Sequence, residues 1–276
     1  MKSYLYIIKR ILGYVIGFVL FYEPFMLFSI LTAGIFNEAG FTSLHVPCAR
    51  IPLANIVTGN WAASGTTSLV FCLLLAVTSL WLGPIFCGKL CIAGGFSEFL
   101  GSLLPEKIKI DWPKLVPVLP IRCGFFVGFL FSVWLGLGVP SAYCNYYALE
   151  IFVNYFLLGH LLNTMTSLVM TFVLSNVVLG LFTKGGRGYC QMLCPVGAFN
   201  SAFHWLGQFI PGPFRMHVNK KLCVGCSKCV NACPMGAIDL VEAKAQIDTR
   251  FCIICGKCKH NCPVQAIKYS SNINKE

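Results

Sequence analysis

Charge is what this chain has least of. Only 11% of its 276 residues are Asp, Glu, Lys or Arg, and ten of those are acidic. A soluble domain carries about 25% charged residues, so an ordinary water-soluble globule is excluded. Histidine is nearly as scarce, with five in all. His160 alone lies inside a long apolar run, whereas a membrane haem held between two histidines needs a pair. The C-x2-C-H attachment motif is also missing: Cys255-Gly256-Lys257-Cys258 is followed by Lys259. Haem is thereby set aside, and His160 reads as a hydrogen-bonded packing residue. A small-x-small cleavage site is lacking after the first apolar run, which is too long for a signal-peptide core and reads as a retained helix. The length leaves no room for an added flavin-binding or sensory domain.

What fills the chain instead is apolar. Hydrophobic residues make up 57% and the mean hydropathy is +0.73, the signature of an integral membrane protein. Residues 1–210 read as a membrane domain with spans at about 11–36, 66–86, 118–139 and 150–182, and an interfacial stretch at about 198–210. Lys2, Lys9 and Arg10 precede the first span. Lys89, Lys107, Lys109 and Lys114, with Arg122 nearby, lie between the second and third, and Lys184 and Arg187 follow the fourth. The loops on the other side carry only Arg50. The positive-inside tendency then expects a multi-pass protein of the cell (inner) membrane with both termini in the cytoplasm. The net charge of +11 is dispersed beside these spans, so a nucleic-acid partner is not expected.

Pro211-Gly212-Pro213 marks a linker, and the unit that follows (211–276) holds half of the chain's 16 cysteines. Cys223-x2-Cys226-x2-Cys229-x3-Cys233-Pro234 is followed by Cys252-x2-Cys255-x2-Cys258-x3-Cys262-Pro263. Each is the run by which thiolates hold a [4Fe–4S] cluster, the fourth cysteine serving the other cluster. Cys223, Cys226, Cys229 and Cys262 are therefore assigned to one cluster, and Cys252, Cys255, Cys258 and Cys233 to the second. Zinc needs no obligatory Cys-Pro, and a disulfide framework does not suit a reducing compartment. The unit resembles a bacterial two-cluster ferredoxin.

A second set of cysteines recurs at matching points. Phe86-Cys87-Gly88-Lys89-Leu90-Cys91-Ile92-Ala93-Gly94-Gly95-Phe96 follows the second span, and Tyr189-Cys190-Gln191-Met192-Leu193-Cys194-Pro195-Val196-Gly197-Ala198-Phe199 follows the fourth. The shared aromatic-C-x2-L-C-x2-G-x-F pattern is an internal repeat and suggests a pseudo-two-fold bundle. Symmetry would gather Cys87, Cys91, Cys190 and Cys194 at the cytoplasmic membrane face, where they are candidates for a further iron–sulfur site. Structural cysteines and zinc remain the alternatives. The expected fold is thus an α-helical membrane protein of four transmembrane helices with a pseudo-two-fold repeat, carrying a C-terminal α+β two-[4Fe–4S] ferredoxin-like domain.

Four spans, paired C-x3-C motifs and this tail resemble the NapH-type membrane quinol dehydrogenase subunit of periplasmic nitrate reductase systems. The wider set includes the methylamine-utilisation membrane ferredoxin and the membrane parts of nitrous-oxide and cytochrome-oxidase accessory proteins. The resemblance covers most of the chain from Thr66 onward and implies membrane-bound electron transfer, often with quinol as donor. Both C-x3-C motifs of that family usually continue with Pro, and this chain has Ile92 in the first.

The remaining candidates read as follows. Glu23, before Pro24 in the first span, is a candidate proton-handling group at a quinone site, or else faces a polar interface at a break in the helix. Cys48, with His45 nearby, and Cys144 fall in the two outer loops, where a disulfide or plain free thiols are favoured over a metal. Cys72 and Cys123 read as small hydrophobes, and Lys228, Lys257 and Lys259 as a solvated face around the clusters. The function expected is electron transfer through two [4Fe–4S] clusters, with a third cluster and a quinone as further candidate cofactors. Electrons would pass between a quinone/quinol pool or cytoplasmic donor and a partner redox enzyme. Whether the chain is itself the quinol-oxidising subunit or only a carrier stays open, as does the direction of flow. Two other classes compete: an assembly factor that reduces a metal or cofactor for another enzyme, and a redox sensor. A soluble ferredoxin is excluded by the spans and a solute channel by the cluster motifs.

Overall fold

The computed structural model describes residues 2–22, 25–36, 48–59, 64–135, 144–159 and 166–271. The first apolar run, expected as one helix over 11–36, is two. Helix α1 (Lys2–Phe21) starts well before residue 11, and α2 (Leu27–Phe36) begins after Met26, whose φ of 42° cannot continue a right-handed helix. Then come α3 (Arg50–Thr58) and α4 (Thr66–Trp81), a π-helical turn (Phe86–Leu90), and α5 (Ile92–Ser102). Beyond the short α6 (Trp112–Leu115), α7 covers Val118–Trp134 and α8 Asn145–Leu158. The run expected as one span over 150–182 is likewise divided. Gly159 takes a left-handed φ of 66° and ends α8, and α9 (Thr166–Phe172) continues as a π-helical segment, Val173–Leu181.

Among the described residues one helical stretch, Tyr4–Phe21, is long and apolar enough to cross a bilayer, with a mean hydropathy of 1.7. Leu27–Phe36, Thr66–Trp81, Val118–Ser132 and Leu168–Leu181 are apolar but shorter. Several of these helices turn large apolar side chains outward: Ile8, Leu12 and Val15 on α1, Ile30 and Leu31 on α2, Leu73 and Val77 on α4, Val127 and Phe131 on α7. Inside, Phe21, Tyr22, Phe71, Leu75 and Leu149 form the main core cluster, where the Phe21, Phe71 and Phe86 rings meet at centroid distances of 5.1–5.5 Å. A polar knot ties α5 and α8 to the π-helical segment. Ser97 Oγ donates to Asn176 Oδ1 (2.7 Å), while Ser175 Oγ (2.7 Å) and Asn176 Nδ2 (2.6 Å) both donate to Asn145 Oδ1. Buried groups joined this way hold helices in one register.

The two repeats run into matching turns. In the first, Cys87 lies in the π-helical turn and Cys91 caps α5. In the second, Cys190 lies in α10 (Gly188–Met192) and Cys194 caps α11 (Pro195–Leu206). The two caps have nearly the same backbone, φ −69° and ψ 102° against φ −81° and ψ 110°. Each cap N–H also reaches back five residues, Cys91 to Phe86 O (2.8 Å) and Cys194 to Tyr189 O (3.1 Å). Proline is preformed for the first helical position, but Ile92 takes it equally well, so its departure from the repeat leaves the turn unchanged. Helix α11 buries Gly197, Asn200, Ser201 and His204 against its neighbours and exposes Trp205 and Leu206.

The C-terminal unit has two antiparallel strand pairs, one joining its first and last strands and one a hairpin. β1 (Phe214–Val218) pairs β4 (Ile267–Ser271), and β2 (Ile238–Val241) pairs β3 (Lys244–Ile247). Helices α12 (Lys228–Ala232) and α13 (Lys257–His260) follow the two cysteine loops and pack together. The unit is seated on the helical half, beyond its covalent tether. Tyr6 Oη donates to Cys255 O (3.1 Å) while its ring stacks on His260 at 4.6 Å, and Tyr269 Oη donates to Leu82 O (2.8 Å).

Candidate functional site

Three cavities are each lined by four or more cysteines. The first, of 340 Å³, is lined by Cys223, Cys226, Cys229 and Cys262. The second, of 320 Å³, is lined by Cys233, Cys252, Cys255 and Cys258. Each takes three cysteines from one loop and the fourth from the other run. Backbone N–H groups point at the sulfurs: Ala245 at Cys223 (3.5 Å), Ala237 at Cys233 (3.3 Å) and Ala266 at Cys262 (3.3 Å). Such donors stabilise a thiolate, and the N–H groups of Ala245 and Gly225 hold the Cys223 thiol below its usual range. At Cys233 burial wins and pushes the thiol up to about 11. A thiolate persists there only when its charge meets a metal.

Among the described residues no three His, Cys, Asp or Glu side chains converge tightly enough for a single metal ion. A four-iron cube takes one thiolate at each iron and so needs its sulfurs around a cavity, which is what both loops provide. The donor set fits such a cube and not zinc.

The third cavity is larger, at 1060 Å³, and is lined by Cys87, Cys91, Cys190 and Cys194. Its sulfurs have donors too. Gly197 N–H donates to Cys194 Sγ (3.3 Å), and Asn200 Nδ2 donates to Cys87 Sγ (3.3 Å). Burial pushes the Cys91 thiol up to about 12. The glycine of each repeat has a local reason: a Cβ would stand 2.7 Å from Arg187 Nη1 at Gly94 and 3.1 Å from Arg122 Nη2 at Gly197. Each repeat thus admits one buried guanidinium to the cavity wall. Met235 and Ile253 line both this cavity and that of Cys233, Cys252, Cys255 and Cys258, so one layer of side chains separates the two. The approach is close, since a Cβ on Gly88 would fall 2.0 Å from Ile253 O.

Beside this junction lies a buried carboxylate. Glu98 on α5 accepts from Arg10 Nη2 (2.5 Å) and Arg187 Nε (2.9 Å), and it also pairs with Lys257 of the ferredoxin unit. Burial raises the Glu98 carboxyl, but Arg187, Arg10 and Lys257 outweigh it and hold the group down at about 2. Arg187 also donates to Cys87 O (2.8 Å) and to Tyr14 Oη (3.0 Å). One network therefore joins α1, α5, the second repeat and the ferredoxin loop. Sequence reasoning used Arg10 and Arg187 only as topology charges, read Lys257 as solvated, and did not single out Glu98.

Cys48 and Cys144 are free thiols, one of the two readings expected of them, and both line the same 1060 Å³ cavity as the paired motifs. Cys48 lies two residues ahead of α3 and Cys144 caps α8. Arg50, expected as the lone cation of an outer loop, is 4% exposed on the cavity wall with its guanidinium over the Phe129 ring at 4.9 Å. Cys72 packs beside the core cluster, and Cys123 is exposed. Glu23, His45 and His160 lie outside the described residues.

Residues 222–272 match a family described as a 4Fe-4S dicluster domain, and residues 64–111 and 166–213 each match a family described as a 4Fe-4S binding domain. The second family recurs over the two repeats. The chain is 26% identical to the "Putative electron transport protein YccM" of Escherichia coli (strain K12), over 65% of this chain and 49% of that protein. It is 28% identical to an uncharacterized protein of Methanocaldococcus jannaschii, over 59% of this chain and 63% of that protein. The chain thus spans about half to two thirds of the length of these relatives. No solved structure matches. Together these findings make the chain a helical protein with 4Fe–4S ferredoxin-type domains and support iron–sulfur electron transfer.

Proposed function

We propose that the chain is a multi-pass membrane electron carrier that relays single electrons between membrane quinol and a partner redox enzyme. In this reading Cys223, Cys226, Cys229 and Cys262 hold one [4Fe–4S] cluster, and Cys252, Cys255, Cys258 and Cys233 hold the other. Cys87, Cys91, Cys190 and Cys194 hold a third centre at the membrane face. The observation that carries the proposal is the shared wall: Met235 and Ile253 alone line both the large cavity and the second ferredoxin cavity. The clusters supply reversible one-electron chemistry when bound. The protein's own residues fix the spacing, exclude water with the Phe21, Phe71 and Phe86 rings, and set the local field through Arg122 and Arg187. The outward apolar faces of α1, α2, α4 and α7 favour lipid contact, because so much exposed apolar surface is unusual on a soluble monomer.

The test is an anaerobic iron and acid-labile sulfide count, with EPR during a redox titration, on the detergent-solubilised chain. About twelve irons or more are expected, falling to about eight in a Cys87/Cys91/Cys190/Cys194→Ser variant, given four irons per cube. About eight in both would sink the third centre. Addition of a reduced short-chain quinol should then reduce the clusters in the unmodified protein, and failure to do so would remove quinol from the proposal.

A further inference from the structure

The large cavity holds two thiols more than one cube uses. Cys48 and Cys144 line it together with Cys87, Cys91, Cys190 and Cys194. They occupy comparable places, each between the two long apolar stretches of its half and at the start of a helix: Cys48 two residues ahead of α3 and Cys144 as the cap of α8. The six cysteines therefore form three pseudo-symmetric pairs, Cys87 with Cys190, Cys91 with Cys194, and Cys48 with Cys144. Tyr146 and Tyr189 line the same cavity.

Two further observations point to a bound group of net negative charge. Arg50 and Arg122 are 4% and 3% exposed, and neither has a carboxylate partner among the described ion pairs. Arg50 Nε and Nη1 and Arg122 Nε find no hydrogen-bond acceptor at all. Buried guanidinium N–H groups left this way are costly, and both residues line the cavity. Size is the second. The cavity is larger than either ferredoxin cavity and has six cysteines in its lining against four in each of those.

We propose that Cys48 and Cys144 are ligands of the membrane-face centre, making it a six-thiolate iron–sulfur centre with more than four irons, whose charge Arg50 and Arg122 balance. This rests on the third centre of the preceding section and extends it. A four-iron cube takes one thiolate per iron, so six thiolates exceed what one cube accommodates. Assembly is ligand exchange on ferrous or ferric iron and sulfide supplied to the site. At each of the two thiols an S–H bond gives its proton to solvent, an Fe–O bond to a leaving water breaks and an Fe–S bond forms, so that no electron changes hands in these two steps. A Cys48–Cys144 disulfide, by contrast, would need a two-electron oxidant.

The experiment is ⁵⁷Fe Mössbauer spectroscopy with an iron and sulfide count on the full chain, anaerobically purified. Wild type is compared with Cys48→Ser/Cys144→Ser and with the single variant Cys144→Ser. The expected result is a wild-type count above about twelve irons, taking four per ferredoxin cube. In the double variant the count should drop while the ferredoxin signals stay at full strength. A wild-type count near twelve, unchanged in the variants, overturns this inference and leaves the four-cysteine centre standing. A count near eight overturns both. Should the variants misfold and lose the ferredoxin signals too, the wild-type spectrum decides by itself: four irons or fewer outside the ferredoxin unit overturns the six-thiolate centre.

Discussion

The two regions of the molecule build cysteine cavities in opposite ways. In the ferredoxin unit each cavity is lined by four cysteines and the small and aliphatic residues around them, and the hydrogen bonds to its sulfurs come from backbone N–H groups. In the helical half the cavity is assembled from segments that include α3, α5, α7, α8 and α11. Its walls include six Phe and Tyr rings, and beside the backbone N–H of Gly197 it has a side-chain donor, Asn200, and the buried guanidinium groups of Arg122 and Arg50. Backbone donors are fixed by the loop and recur wherever the loop recurs. Side-chain donors can be exchanged one residue at a time, so the helical half is where this chain can tune a redox centre through charge and solvent exclusion.

The comparison breaks most visibly at the crossed ligands. Cys229→Ser and Cys233→Ser alter neighbouring positions of one run, yet they line different cavities. Cys229→Ser should abolish the EPR signal of the cluster that keeps Cys262, and Cys233→Ser that of the cluster held by Cys252, Cys255 and Cys258. About four irons should be lost in each case. Loss of the same signal in both variants would mean that each run keeps its own cluster.

Next in size is the joint between the regions. Glu98→Gln leaves Arg10, Arg187 and Lys257 facing a neutral amide in a buried place, where removing one partner costs on the order of 3–5 kcal/mol. The sign with pH follows from the carboxyl, which stands at about 2 against a usual 4.5. Its stabilising contribution is complete above pH 4.5 and is lost as pH falls towards 2. Thermal unfolding should therefore show a gap between wild type and Glu98→Gln that is flat from neutral pH down to 4.5 and closes below it. A gap that changes near neutrality would assign the network's titration to another group. Gly88→Ala acts at the same joint by sterics alone. Its Cβ would lie 2.0 Å from a backbone oxygen that has no flexible end to move, so about 1–3 kcal/mol of overpacking is expected. Stopped-flow reduction should show slowed transfer between the ferredoxin clusters and the large cavity's centre, with the ferredoxin EPR signals intact.

What the sequence disclosed divides along the same line. Eight cysteines in two runs with fixed spacing, which line two cavities in the grouping read from the sequence, could be picked out directly because loop geometry ties spacing to chemistry. The C-x3-C repeat was visible for the same reason, down to the glycines that the structure shows admitting Arg187 and Arg122. Arg50 and Glu98 were misplaced or passed over, and the shared cavity of Cys48 and Cys144 was not foreseen, because hydropathy and charge counting say nothing of which side chains pack together. Arg50 was counted as a loop charge, yet it stacks on Phe129 inside the helical half. Of the helix breaks, one near Pro24 was weighed as an alternative and the one at Gly159 was not. Met26 carries a positive φ that its residue type does not announce, whereas Gly159 is a conventional helix stop that a purely apolar reading ran through.

The smallest effect is expected at an ion pair on the surface of the ferredoxin unit. Arg250 and Asp248 pair at 2.7 Å, but their side chains are 48% and 29% exposed, so water and salt screen them. The buried contact at this residue is made by its carbonyl, which accepts from Arg122 Nη1 at 3.1 Å and is untouched by a side-chain change. Arg250→Ala should therefore alter thermal stability by less than about 1 kcal/mol and leave the iron count as it was. A loss comparable to that of Glu98→Gln would move part of the joint from the buried network to this surface pair. The distinction between an exchangeable rim and a fixed centre would then have to be redrawn around residue 250.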